Sequence, residues 1–436
     1  MISLIVGRKI FMLNYKESTT LLEEFTTPLK PLLLSSSYRR NCPKINDEQW
    51  VITGLLRVFS QEVSSRGFLQ QLFDQMQRYI PCSSFFKSLH SKRRLLFCQD
   101  LNERLSASVK CSNIEDPLKS YSSLSKYDIY AGDGHYRAAA VHDKKICDKK
   151  YAVGHFYVLN LRTRMLTHLD SMMEESGRKR EHDMHLLKRM TIQQLRQGTR
   201  KGQKVIYVWD SAGIDLLQWH KWKKGSGIYF ISLEKENMKP YVIGEPEWDR
   251  QDPINAGVIA DEYIGTSTQT MMRRIRYKCP VSGKSFHFIT SVMNVEPGLI
   301  AHLYKMRWNI EKIFDELKTK LTEKKAWANG STARNMQAQF TCLMHNLMVL
   351  LESQIAQNEN ITDAGENKRR LKRLELLKLK AKKQGYELPL AQQQLHLPTQ
   401  RSQKFIRWLR NHCFFQTSYQ QAIDTLQRIY RPGHAT

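Results

Sequence analysis

Apolar residues recur at helical spacing through most of the first 120 positions. EQWVITGLLRVF and FLQQLFDQMQRYI both follow that period, with Asp47 placed to cap the first helix and Phe68 opening the second. PCSSFFKSLHSKRRLLFCQDLNERL then predicts a turn and two further short basic helices. That arrangement suits either a helix-turn-helix-like DNA reader or a small helical cap packed on the next part of the chain. Periodicity does not separate the two.

From Lys126 the period becomes that of strands. KYDIYAGDGHYRAAAVHD and KYAVGHFYVLNLRTRMLTHLD predict three strands rich in Tyr, Val, Phe and Leu, with a hairpin at Asn160 to Arg164. Asp183 to Gln197 has helical spacing and stops before Gly198, and KVIYVWD is a buried type of strand ending at Asp210. Residues 214 to 222 predict a helix and GIYFISL another strand, so the order is β-β-β-α-β-α-β. An interval from PYVIGEPEW through MMRRIRYKC to FHFITSV has only strand patterns and reads as an insertion. Pro297 sits at a favoured first-turn position of the next helix, and Met336 to Gln354 is a strongly apolar one. The fold class expected is α/β, a mixed sheet flanked by helices, with a β-rich insertion and helical N-terminal and C-terminal regions.

Length and charge narrow the function. A chain of 436 residues is too long for one ordinary core, so two to four structural units are expected. Lys and Arg number 68 against 42 Asp and Glu, a balance of +26, and the usual partner of so basic a chain is nucleic acid. No run approaches the roughly 18 apolar residues of a membrane span. The opening MISLIVGRKIFMLNYK is a poor signal peptide, because its apolar run is short and no small-residue cleavage site follows, so a cytosolic protein is expected. The eight cysteines contain no C-x-x-C, which suits free thiols in a reducing compartment. Cys279 and His287 flank a Ser-Gly turn but have no second close Cys/His pair to complete a zinc site. Residues 368 to 383, KRRLKRLELLKLKAKK, hold nine Lys or Arg and one Glu, and read as a solvated helix face or a phosphate-tracking surface.

The helix after Pro297 contains LYKMRWNIEKIFDELK. At about 100° per residue, with Tyr304 set at 0°, Arg307 falls near 300°, Lys318 near 320° and Glu311 near 340°. Leu299, Leu303, Met306, Ile310, Ile313, Phe314, Leu317 and Leu321 form a continuous apolar stripe beside that polar arc. One face anchors the helix and the other is presented along its edge. The plainest account of the polar arc is an i,i+4 surface ion pair between Arg307 and Glu311. The functional one is a phosphate site, with Glu311 on a divalent metal, Arg307 and Lys318 on phosphate oxygens, and Tyr304 against a backbone or base.

Two aspartates favour the second account. Asp133 lies in the first strand between Gly132 and Gly134, which allow close backbone approach, and Asp210 ends the fourth strand, where ligands collect at the carboxyl ends of parallel strands. Taken singly, such an aspartate is often a cap or turn residue. Two strand-borne aspartates with a helix-borne glutamate make an all-oxygen site for two Mg²⁺ ions, the chemistry of phosphodiester hydrolysis and transfer.

The spacing Tyr304-x2-Arg307-x3-Glu311-x6-Lys318, with FITS at 288 to 291 and RWNIE at 307 to 311, resembles the YREK signature of DDE transposases in the insertion sequence 4 family. The resemblance covers about residues 125 to 350. It implies an RNase H-like core and metal coordination by Asp133, Asp210 and Glu311, with Mg²⁺ as cofactor and Mn²⁺ able to substitute. It also implies that Tyr304, Arg307 and Lys318 contact transposon-end DNA. The organisation it suggests is a helical, DNA-binding region at 1–120, core parts at 121–234 and 292–355 around an insertion at 235–291, and a basic helical region at 356–436. Asp143, Asp148, Asp170 and Asp215 are weaker metal candidates, and Trp248 is the one tryptophan of the insertion that could meet a flipped base. The implied activity is cut-and-paste transposition: cleavage of double-stranded DNA at element ends and joining to target DNA by a dimer associated with the bacterial nucleoid. A second-strand cut through a DNA hairpin is implied as well. A catalytically dead DNA-binding derivative and a structure-specific nuclease of the same fold are the alternatives.

Overall fold

The computed structural model describes residues 19–42, 44–62, 64–109, 114–145, 148–172, 183–265, 270–321, 323–393 and 400–431. The leader reading at residues 1–16, Cys111 and Cys147 lie outside these. The N-terminal helices are α1 (Leu21–Thr26), α2 (Lys30–Ser35), α3 (Asp47–Phe59), α4 (Ser65–Met76), α5 (Cys82–Leu89) and α6 (Lys92–Ser108). Two of their starts differ from the sequence expectation. Asn46, not Asp47, caps α3 by accepting from the Gln49 amide, because Asp47 is buried and committed to Arg93 at 2.7 Å and Arg94 at 3.5 Å. Ser64 caps α4 one turn before Phe68.

The strands are β1 (Tyr127–Arg137), β2 (Val153–Asn160), β3 (Leu166–Ser171), β4 (Lys204–Val208), β5 (Ile228–Leu233), β6 (Tyr241–Gly244), β7 (Val258–Gly265), β8 (Met272–Lys278) and β9 (Ser285–Thr290). They form one mixed sheet in the order β3-β2-β1-β4-β5-β9-β8-β7-β6. β1 pairs antiparallel with β2 and parallel with β4, and β4 is parallel to β5. The insertion strands extend this same sheet, because β9 pairs antiparallel with β5. Its interior is fixed by charge as well as by apolar packing: Arg273 pairs with the fully buried Asp261 at 2.5 Å.

Between β3 and β4 the single helix expected over Asp183–Gln197 is two, α7 (Asp183–Arg189) and α8 (Ile192–Leu195). Thr191 breaks it by forming a capping box with Gln194, a local bond that competes with helix continuation. After β4 comes α9 (Leu216–Ser226), ended by Gly227 in the left-handed region at φ 62°.

Two long helices cover the sheet. α10 (Pro297–Thr319) begins on Pro297 as expected, and every residue of its apolar stripe is buried. α11 (Ser331–Asn358) is more enclosed, touching β3 on one side and α3 and α6 on others. Asn102 of α6 donates to the Gln339 backbone and side-chain oxygens at 3.0 and 2.8 Å inside that contact. The chain ends with α12 (Ala364–Lys383), α13 (Leu390–Gln393), α14 (Gln403–Phe414) and α15 (Tyr419–Tyr430). One apolar cluster runs from Leu21 through β1, α10 and α11 to Leu426. Among the described residues no helix is long and apolar enough to cross a membrane.

Candidate active site

The parallel pairing of β1 with β4 places the two aspartates. Ala131 is opposite Val208, the last residue of β4. Asp133 lies two residues further along β1, and Asp210 lies two residues past the end of β4, which stops short of the Asp210 end expected from the sequence. Both aspartates thus lie beyond the carboxyl end of the β1–β4 pairing, where Asp133 feels the charge of Asp210. Gly132 serves this approach: a Cβ there would meet the Trp209 ring at 2.7 Å and Phe156 at 3.2 Å. The Gly134 amide donates to Asp133 Oδ1 at 2.8 Å. Asp210 does cap a short 3-10 turn, accepting from the Ala212 amide at 2.9 Å, and its backbone oxygen accepts from Ser232 at 2.8 Å.

α10 packs across β1 and brings in the rest of the polar arc. Arg307 is the centre of it. Its Nη2 donates to Glu311 Oε1 at 2.6 Å and its Nη1 lies 3.5 Å from Asp133 Oδ2, while its side chain is only 7% exposed. The i,i+4 pair expected from the sequence is therefore present, with its arginine buried and its glutamate 34% exposed, and the arginine reaches across the fold to a carboxylate on β1. Burial works against the Arg307 charge, and Tyr304, Asp133 and Glu311 more than offset it, so its pKa is raised. Tyr304 is buried under Phe288 with ring centroids 5.1 Å apart, and Arg307 sits 5.9 Å from its ring centroid. Lys318 is exposed at the other end of the arc. The FITS segment anchors this corner: Phe288 meets Tyr304, Thr290 donates to the Phe230 oxygen at 2.6 Å, and Ser291 accepts from the Phe230 amide at 3.1 Å.

Electrostatics single out Asp133. Burial pushes its carboxyl up to about 6; Arg307 and the Gly134 amide pull it down, and Asp210 and Glu311 push it up again. The three acids thus share one electrostatic site whose anionic form is under-compensated. Such a donor set, all oxygen and short of positive charge, fits a hard divalent cation in chemistry. As placed, no three His, Cys, Asp or Glu among the described residues lie close enough to hold one ion. Arg307 is the cation that now spans Asp133 and Glu311.

The weaker candidates have other work. Asp143 pairs with Arg334 at 2.7 Å, Asp170 pairs with Arg189, and Asp215 caps α9 and pairs with Lys188. Asp148 adopts a left-handed turn at φ 59°. Trp248 is half-buried with the Arg250 guanidinium 4.8 Å from its ring centroid. His287 pairs with Glu234 at 3.3 Å while Cys279 is buried. Sequence reading missed the bond from Arg307 to Asp133, since nothing local relates positions so far apart. It also missed His135, two residues past Asp133 on β1, which stacks on Phe314 of α10 at 4.6 Å and is held neutral mainly by burial.

Fold and site together define an α/β protein with Asp133 on the central strand β1, Asp210 just past the parallel β4, and a glutamate-bearing helix packed across β1. Residues 131–347 match the family model of the transposase DDE domain, a span that holds Asp133, Asp210, Tyr304, Arg307, Glu311 and Lys318. This match supports a DDE transposase, a class that cuts and joins DNA and generally uses divalent metal ions. No curated protein matches the chain.

Proposed function

We propose that the chain is a cut-and-paste transposase of the insertion sequence 4 type. Asp133, Asp210 and Glu311 are its metal ligands, and Tyr304, Arg307 and Lys318 form the DNA-holding part of a YREK helix. What supports this is the parallel pairing of β1 and β4 up to Ala131 and Val208, two residues short of Asp133 and Asp210, with the helix that bears Glu311 packed across β1. Bound Mg²⁺, or Mn²⁺ in its place, would activate water or a 3′-hydroxyl and stabilise the leaving oxygen. The chain's own groups do the rest. Arg307 leaves Asp133 and Glu311 for a phosphate oxygen of the entering DNA, which frees both carboxylates for metal and keeps the guanidinium paired. Tyr304, buried against Phe288, supports Arg307 rather than stacking on an exposed base. Lys318 meets the next phosphate along the arc. Both ends of an element must be held at once, so a dimer on DNA is expected.

The test is incubation of the purified chain with linear DNA carrying the inverted repeats that flank its gene. Mg²⁺ or Mn²⁺ should support end cleavage and joining to a target plasmid, and Ca²⁺ should support binding alone. Cutting without joining would make the protein a nuclease of this fold, and binding without cutting in every metal would make it a dead derivative.

A further inference from the structure

A cavity of about 1000 Å³ opens between the N-terminal helices and the core. Its walls come from the end of α3, the turn into α4 and Phe86 of α5 on one side, and from residues 323–329, between α10 and α11, on the other. Pockets of about 300–1,000 Å³ take small ligands, so this one admits single nucleotides and excludes a duplex. Both elements that carry catalytic acids lead to it. Beyond β1, Ala138 forms a parallel bridge with Lys325. The Ala138 amide donates to the Lys324 oxygen and the Ala326 amide to the Ala138 oxygen, both at 2.9 Å. From Asp133 to Ala138 is about 16 Å of strand. Along α10, Glu311 to Lys318 is about 10 Å, and the Glu323 amide then folds back onto the Leu317 oxygen at 2.9 Å. At about 3.4 Å per nucleotide of one strand, the cavity stands roughly three to five nucleotides from the carboxylates.

The cavity is built round an indole. Trp327 is half-buried; its Nε1 donates to Glu323 at 3.2 Å, its amide donates to Gln337 at 2.9 Å, and its ring stacks on Phe340 of α11 with centroids 6.0 Å apart. Arg57, 6% exposed, stands 5.6 Å from the same ring centroid. The ring is therefore fixed from the protein side while its remaining surface lines the cavity. The rim is cationic. Lys324, Lys325 and Arg66 are exposed, and none of them is ion-paired to a described residue. Against these and Arg57 stand two carboxylates, the exposed Glu62 and the buried Glu323, which already accepts from Trp327 and from Gln337 at 2.7 Å. The cavity thus keeps a net positive charge. An aromatic wall under a basic rim fits a planar base and its phosphate, the base stacking on the ring and the phosphate meeting the ammonium groups.

We propose that this cavity holds an unpaired nucleotide of the DNA strand that passes the catalytic carboxylates, with its base against Trp327 and its phosphate at Lys324 and Lys325. This rests on the reading of the chain as a transposase and adds a subsite outside both the YREK arc and the insertion. Extruding a paired base costs free energy that an already unpaired one does not, so the site favours DNA with a single-stranded end.

The experiment measures binding by the full chain, without divalent metal, of a blunt mixed-sequence duplex and of the same duplex carrying a 3′ or 5′ tail of about five nucleotides. A tailed duplex should bind more tightly than the blunt one. Trp327→Ala should weaken tailed-duplex binding by about 5- to 150-fold, the equivalent of one lost base stack, and leave blunt-duplex binding near wild type. Trp327→Phe, which keeps a stacking ring, should retain most of the preference. Lys324→Gln/Lys325→Gln, at exposed positions, should flatten the slope of log K against log salt for the tailed duplex by about 1.4, two single-strand contacts at about 0.7 each. Lys221→Gln/Lys224→Gln, on α9, is the charge-matched control and should leave that slope almost unchanged. Circular dichroism checks folding, and the lysine double decides the matter if Trp327→Ala does not fold. Equal binding of blunt and tailed duplexes by the wild type overturns the site, as does a tail preference that survives in both Trp327→Ala and the lysine double. Deoxyadenosine monophosphate that competes as well as the tail would assign the cavity to a free nucleotide and overturn the strand assignment. Cleavage is read separately. A chain that holds the tail through Trp327 yet never cuts loses the transposase reading and keeps this site, and one that cuts and joins without a tail preference loses only the site.

Discussion

A carboxyl whose pKa is raised in the folded state costs stability once it ionises. Asp133, pushed from 3.8 to about 6 chiefly by burial, is such a group. Its favourable contribution is complete below the unfolded value and is lost as pH rises through 6, so the metal-free protein should gain stability between pH 7 and pH 4. Asp133→Asn should abolish that gain and raise metal-free stability at pH 7 by on the order of 1–2 kcal/mol, measured by denaturant unfolding across pH. If the variant follows the wild-type pH curve, Asp133 is not the strained acid of this site. Arg307 supplies the complementary case. Arg307→Ala leaves Asp133 and Glu311 without their cation, and because those carboxylates are 21% and 34% exposed the loss should be about 1–2 kcal/mol, below that of a fully buried pair. Mg²⁺ should restore more stability to this variant than to wild type, since ligand binding stabilises by mass action and the arginine no longer competes. Equal Mg²⁺ responses in a thermal melt would show that Arg307 does not occupy the metal position.

At the scale of elements, much was legible because period and placement agree. The apolar stripe from Leu299 to Leu317 read as helix, is buried, and leaves Glu311 on the helix edge beside Arg307. The order of strands along the chain was legible for the same reason, but β4 stops at Val208, two residues short of the Asp210 end that KVIYVWD suggests, because Asp210 caps the 3-10 turn that follows. Caps were less so. Asp47 and Asn46 are equally good N-cap types, and only the distant Arg93 and Arg94 decide between them. Thr191 inside a helical period gave a signal that the longer apolar pattern hid. The close approaches were not legible at all, because a glycine does not announce its neighbour. Gly298, in the first turn of α10, has the Ile254 carbonyl oxygen 1.9 Å from where a Cβ would stand, and its amide donates to Asn255 at 2.9 Å. The obstacle is backbone, so Gly298→Ala must push α10 away from the turn at Pro253–Asn255. It should cost about 1–3 kcal/mol of overpacking and lower DNA cleavage more than DNA binding. A variant that cuts normally would show that the position of α10 tolerates this shift.

At the scale of the whole molecule, the two ends of the described chain are stitched together. The Leu21 amide donates to the Thr417 oxygen at 2.9 Å and the Tyr419 amide to the Thr19 oxygen at 2.8 Å. Arg401, 1% exposed, pairs at 2.9 Å with the fully buried Glu316 on α10. Ile406, Leu409 and Ala422 belong to the same apolar cluster as Phe25, Leu55 and Leu343. Segments that composition sets apart are thus joined by packing, and α14 and α15 hold the N-terminal helices as much as they hold the core. A consequence follows for dissecting the basic C-terminal region. Ending the chain after α11 would uncover Phe25 and Leu55 and leave Glu316 a buried charge without Arg401, a loss large against the 5–15 kcal/mol by which domains are usually stable. Thermal unfolding of the full chain should therefore be a single transition by both circular dichroism and tryptophan fluorescence. A chain ended at residue 358 should lose helix beyond the segment removed, and be cut by protease within α1 to α4. If it instead keeps a folded N-terminal part with an unchanged melting temperature, the two ends are independent and the shared cluster contributes little. Side-chain neutralisation along α12, which leaves this packing intact, is for that reason the sounder probe of whether the basic helix meets DNA.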